Sequence, residues 1–147
     1  MPRRLRRPER HAKLMDELAS GDNSVFNTYA ELLIFAGALG SFHSRRVEFK
    51  KVVGQVNYDV FEGRPEFPAV IECIALSESR SLSVFKEENS ETRITIFEEY
   101  ACGGLEIISE KMAKGFLPQD AIIDLCKACQ TSETVGPEVL RDYDLQF

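Results

Sequence analysis

The sequence predicts a mainly α protein, a single compact helical domain with little β structure. Three observations carry that prediction. The stretch Thr28–Gly40 is apolar nearly all round, with Glu31 as its one charge. Residues 67–78, 90–113 and 119–130 repeat apolar side chains at three- and four-residue spacing. The chain has 147 residues, of which 44% are hydrophobic, enough for one well-buried core and short for two.

Taken in order, residues 1–8 read as a basic arm or short strand. Leu5 faces one side of an extended chain there, and Arg4 and Arg6 face the other. Pro8 suits a helix start, because its missing N–H needs no partner in a first turn. Residues 9–19 place Leu14, Met15 and Leu18 on one helical face. Residues 20–24 are a turn cluster. Val25 and Phe26 are placed to staple the entry of the next helix. Asn27 or Thr28 caps that helix, with Glu31 where a capping box needs it. Gly40 is expected at the left-handed position that ends it. A helix apolar on every face is expected to be buried on every face. The order of basic extended segment, helix, polar turn and apolar helix is that of a ribbon-helix-helix module. In such modules the strands of two copies pair in the major groove, and the second helix aims its N-terminus at a phosphate. Thr28 is therefore a candidate phosphate contact, although a plain N-cap is the simpler reading.

Residues 46–57 are expected to hold a little extended structure, and residues 58–61 a short apolar turn or a one-turn helix. In residues 67–78, Val70, Ile71, Ile74 and Ala75 mark the core face of a buried helix. In residues 90–113 the pattern runs through Ile94, Phe97, Ala101, Leu105, Ile108 and Met112. Gly103 and Gly104 interrupt it, and each costs about 1 kcal/mol relative to alanine inside a helix. Either the helix breaks there or something approaches its backbone closely, with another helix favoured over a ligand. Pro118 opens a last helix over residues 119–130, and residues 9–130 form the expected helical domain. Residues 131–147 read as an acidic tail that docks through Val139, Leu140, Tyr143, Leu145 and Phe147, or remains mobile.

Charge divides the chain. Residues 1–51 carry ten Lys/Arg and six Asp/Glu, a net of +4, whereas residues 52–147 carry a net of −10. Such asymmetry points to an anionic partner for the front half. Arg3, Arg4, Arg6, Arg7 and Arg10 form one basic run; Arg45, Arg46, Lys50 and Lys51 form a second. Together with Thr28 they are the candidate nucleic-acid contacts, because clustered cations gain affinity for phosphates by counterion release. The same cluster suits RNA, an acidic protein surface, or the acidic half of a second copy.

No catalytic constellation, phosphate-binding loop or metal-ligand set stands out, so neither an enzyme, a cofactor nor a metal is expected. Cys126-x-x-Cys129 lacks a second ligand pair for zinc, and its thiols are expected to face a core. His11 and His43 read as structural or surface residues. Glu98-Glu99 reads as a solvated helix face. No apolar run is long enough for a membrane span, and no apolar region follows the basic start as in a signal peptide. The cytoplasm, where cysteines stay reduced, is the expected compartment.

Three segments together resemble a bacterial family encoded beside DNA phosphorothioation genes, dnd system-associated protein 4. They are Arg6-Arg7-Pro8-Glu9, the Thr28–Gly40 stretch, and residues 96–108 from Ile96 to Ile108. The front more distantly resembles DndE, a small DNA-binding protein of those systems. The resemblance implies a phosphorothioation or phage-defence setting and an accessory DNA-binding role without catalysis. Its alternative is an assembly or adaptor subunit that binds a partner nuclease or ATPase without touching nucleic acid. Other proteins of the system, and further copies of the chain, are the expected partners.

Overall fold

The structure, a computed structural model, describes residues 4–130 and 143–146. Strand β1 (Leu5–Pro8) leads through a 3-10 turn (Glu9–His11) into α1 (Ala12–Ala19). Helix α2 (Tyr29–Phe42) and strand β2 (Val52–Val56) follow, then α3 (Tyr58–Glu62), α4 (Glu66–Ser79), α5 (Ser90–Ala113) and α6 (Pro118–Cys129). The protein is mainly α, with a two-stranded antiparallel sheet near the N-terminus.

The capping of α2 follows the sequence. Thr28 Oγ1 accepts the N–H of Glu31 at 3.1 Å, and the Glu31 carboxylate accepts the N–H of Asn27 at 3.0 Å. Its other end corrects the expectation. Gly40 lies inside the helix, which runs on to Phe42, and Ser44 takes the left-handed conformation with φ 54°. Gly40 is small for a different reason: a Cβ there would strike the Tyr100 carbonyl of α5. Gly104 on α5 answers it, facing the Ala36 carbonyl of α2. Gly103 lies equally close to the Arg45 carbonyl. So α5 does not break at its glycines; they admit the neighbouring backbones.

These contacts make α2 and α5 the central pair, with α4 packed on both. Phe61, Phe97, Leu32, Leu105 and Ile108 fill the space between elements and are fully buried. Leu5 is 1% exposed, which draws β1 into this core. Burial of α2 is not complete, however. Ala38 is exposed, Phe42 is 47% exposed, and a groove of about 580 Å³ runs between α2 and α4 beside Val70 and Cys73. No described element covers that side.

Helix α6 buries Ala121, Ile122 and Leu125. Its cysteines depart from expectation: Cys126 is exposed and Cys129 half-buried, because the buried stripe passes beside them. Asp144 forms a parallel bridge to Ser81, accepting the Leu82 N–H at 2.9 Å and donating to the Arg80 carbonyl at 2.6 Å. The tail residues Val139, Leu140 and Phe147 lie outside the described residues.

Candidate nucleic-acid interface

The geometry sorts the predicted cations into those held by carboxylates or a ring of the same chain and those facing outward without such a partner. Arg6 belongs to the first group. Glu98 on α5 is 2% exposed, and its carboxylate accepts from the backbone N–H and the guanidinium of Arg6 on β1. Arg6 N–H donates to Oε2 at 2.6 Å, and the guanidinium donates to Oε1 through Nη2 at 2.9 Å and Nε at 3.2 Å. The guanidinium also lies 5.1 Å from the centre of the Phe49 ring. The hydrogen bond to Glu98 raises the Arg6 pKa, against the opposing effect of burial.

Arg46 is held in the same manner. Its Nε donates to Glu99 at 2.7 Å and its Nη1 to Glu78 at 3.0 Å. Burial pulls the Arg46 pKa down, but the two carboxylates outweigh burial and raise it. Glu78 also accepts from the Tyr100 hydroxyl, and burial together with that bond pushes Tyr100 up to about 12. Arg45 faces Glu106 at 3.4 Å and Glu110 at 2.5 Å. Arg7 stacks on Tyr29, with its guanidinium carbon 4.0 Å from the ring centre. Gly54, at φ +142°, leaves the space that Arg7 fills.

Glu98 and Glu99 were expected on a solvated face and are instead among the buried residues of α5. Sequence reasoning missed them as partners for the arginines. The available signal was the pair of carboxylates set within Ile96-Phe97 and Tyr100-Ala101, in the half of the chain opposite in sign to the arginines.

The outward group is Arg4, Arg10, Lys50 and Lys51, all exposed. Arg4, Lys50 and Lys51 have no ion-pair partner among the described residues. Arg10 reaches the Glu48 carbonyl at 3.4 Å. Arg10, Lys50 and Lys51 line a groove of about 640 Å³ with Phe49 and the carboxylates of Glu9 and Glu48. Arg4 stands at the far end of the sheet, beyond Leu5 and its partner Val56. Arg3 lies outside the described residues. Thr28 is exposed, but its hydroxyl caps α2 and the Glu31 carboxylate covers the same helix end.

The ribbon expected between two copies is formed within one chain. β1 pairs with β2, Leu5 opposite Val56 and Arg6 opposite Gln55, with a bulge before Pro8. Its other edge is closed by Glu98. His11 is 8% exposed with its Nε2 unpartnered, and His43 is exposed. Cys102 is buried, which pushes its thiol up to about 11. Among the described residues no group of His, Cys, Asp and Glu is arranged to hold a metal. No helix among them is long and apolar enough to cross a membrane.

Fold and site define a small helical domain whose N-terminal sheet is clamped to its central helix by the Arg6–Glu98 pair, with a few cations left outside. The chain belongs to the family of DNA sulphur modification system-associated protein 4, whose model matches residues 4–142. It is thus a protein associated with a DNA sulphur modification system. No curated protein and no solved structure matches it.

Proposed function

We propose that the protein is a non-catalytic accessory subunit of its DNA sulphur modification system and contacts DNA through Arg4, Arg10, Lys50 and Lys51. One observation carries this reading: these four predicted cations are exposed with no ion-pair partner among the described residues, whereas Arg6, Arg45 and Arg46, the last also exposed, are bound to carboxylates of the same chain. Arg7, stacked on Tyr29, is a scaffold residue in this account, and so is the Thr28 cap.

Few contacts mean modest affinity. Four phosphate contacts give a salt slope of about −3.6, roughly a 150-fold loss between 50 and 200 mM salt. Glu9 and Glu48 beside the groove oppose a polyanion further. DNA contact of this size supports a subunit that works in a larger assembly. The test is a fluorescence anisotropy titration of duplex DNA with the full chain and with a K50E/K51E variant. The reading expects salt-sensitive binding that the variant loses. Equal binding by both proteins, or none by either at low salt, overturns it.

A second reading, an adaptor that binds a partner protein without touching DNA, draws on the uncovered apolar groove beside Phe42. Co-purification of a nuclease-resistant complex, combined with absent DNA affinity of the isolated chain, selects it.

A further inference from the structure

The small sheet has one open edge. β1 lies between β2 and α5, and the Arg6 N–H bond to Glu98 closes its outer side. That same bond fixes where β2 points its polar groups. In an antiparallel ladder, opposite residues either exchange both bonds or both turn their N–H and C=O outward. Arg6 turns outward, to Glu98. Its partner Gln55 therefore turns its N–H and C=O away from β1, toward the open side. Among the described residues no strand pairs with that side of β2, and both Val53 and Gln55 are exposed.

An unpaired edge is a template for another strand. Its flank selects the sign of that strand. Lys50 and Lys51 directly precede β2 and have no ion-pair partner among the described residues, and with Arg10 they outnumber Glu9 and Glu48 in the same groove. Cations at the entry of an edge strand disfavour a basic partner strand there and favour an acidic one.

We propose that the outer edge of β2 receives an extended acidic segment of a partner protein as a third strand. Main-chain bonds form at Gln55, and carboxylates of the segment meet Lys50 and Lys51. This goes beyond DNA contact, which makes no use of the strand edge. The two ligands share the lysines and therefore compete.

The test is residue-resolved amide exchange on the full chain, with a seven-residue peptide alternating glutamate and valine as probe. A peptide alternating lysine and valine is the control. The expected result is exchange at Gln55 slowed by about tenfold or more with the acidic peptide alone. Gln55→Pro removes the outward N–H without removing a bond to β1, since proline is tolerated at a strand edge. This variant should lose peptide binding and keep its DNA affinity. K50E/K51E should transfer the preference to the lysine peptide. If Gln55→Pro fails to fold, K50E/K51E decides, and a retained preference for the acidic peptide overturns the proposal. Undiminished binding by a folded Gln55→Pro overturns it, as does protection confined to residues outside β2. Protection of Gln55 that rises with protein concentration, without peptide, replaces the acidic partner with a second copy and also overturns it.

Discussion

Glu98 is the side chain on which the N-terminal sheet depends. Its carboxylate is shielded from water and satisfied by one backbone N–H and one guanidinium. Removing either partner leaves a buried charged or polar group without its bonds, which costs more than the pair contributes net. We expect Glu98→Ala to lower stability by about 2–4 kcal/mol in denaturant titration at neutral pH. Arg6→Ala, which leaves the buried carboxylate its backbone N–H bond but removes the guanidinium that balances its charge, should cost as much. A loss under 1 kcal/mol in both would contradict this role. His11 gives a pH signature. Burial, aided by Arg10 and countered by Glu106, lowers its pKa below the ordinary 6.5. The unfolded chain then binds the proton more readily as pH falls below that value, so the His11 contribution to stability is present above about pH 6.5 and declines below it. His11→Phe should flatten this part of the stability–pH curve. An unchanged slope in the variant would assign it to other groups. Neither role was legible from local sequence. Glu98-Glu99 has the look of a solvated face, and only the packing of β1 against α5 turns it inward.

At the scale of elements, the crossing of α2 and α5 fixes the core. The helices themselves were legible. The periodic pattern over residues 90–113 became α5, and the Thr28–Glu31 cap marked the start of α2. The glycines were legible only as anomalies. Gly103 and Gly104 signalled a close approach without naming the approaching backbone, and Gly40 resembled a helix end. Its true neighbour, Tyr100, is 60 positions away, and no local pattern encodes that pairing. Gly104→Ala presses a methyl group onto the Ala36 carbonyl, a main-chain atom that cannot rotate aside. Overpacking of this kind should cost about 3 kcal/mol, readable as a lowered thermal midpoint. Lys114→Ala, on the exposed far end of the same connection, should change stability by less than about 0.5 kcal/mol. Equal midpoints for Gly104→Ala and the parent protein would mean that the helices do not approach as described.

At the scale of the whole molecule, the opposite charge of the two halves is resolved in part within the chain, through Arg6, Arg45 and Arg46. Arginines of the first 51 residues meet carboxylates of α4 and α5, in Arg6–Glu98, Arg46–Glu99, Arg46–Glu78, Arg45–Glu106 and Arg45–Glu110. The asymmetry was visible in the sequence, but its resolution was not, because pairing across 32 to 92 positions depends on how the helices pack. Of the predicted cations, Arg10, Lys50 and Lys51 stand exposed beside one groove and Arg4 at the other end of the sheet. The central claim is that these four, and not the full arginine count, set DNA affinity. Its most direct test is the salt dependence of duplex binding by the folded full chain. A slope of log affinity against log salt near −3.6, falling by about 1.8 in K50E/K51E, is the predicted result. A slope of about −7 or steeper would contradict it, because the internally paired arginines would then have to be on the DNA.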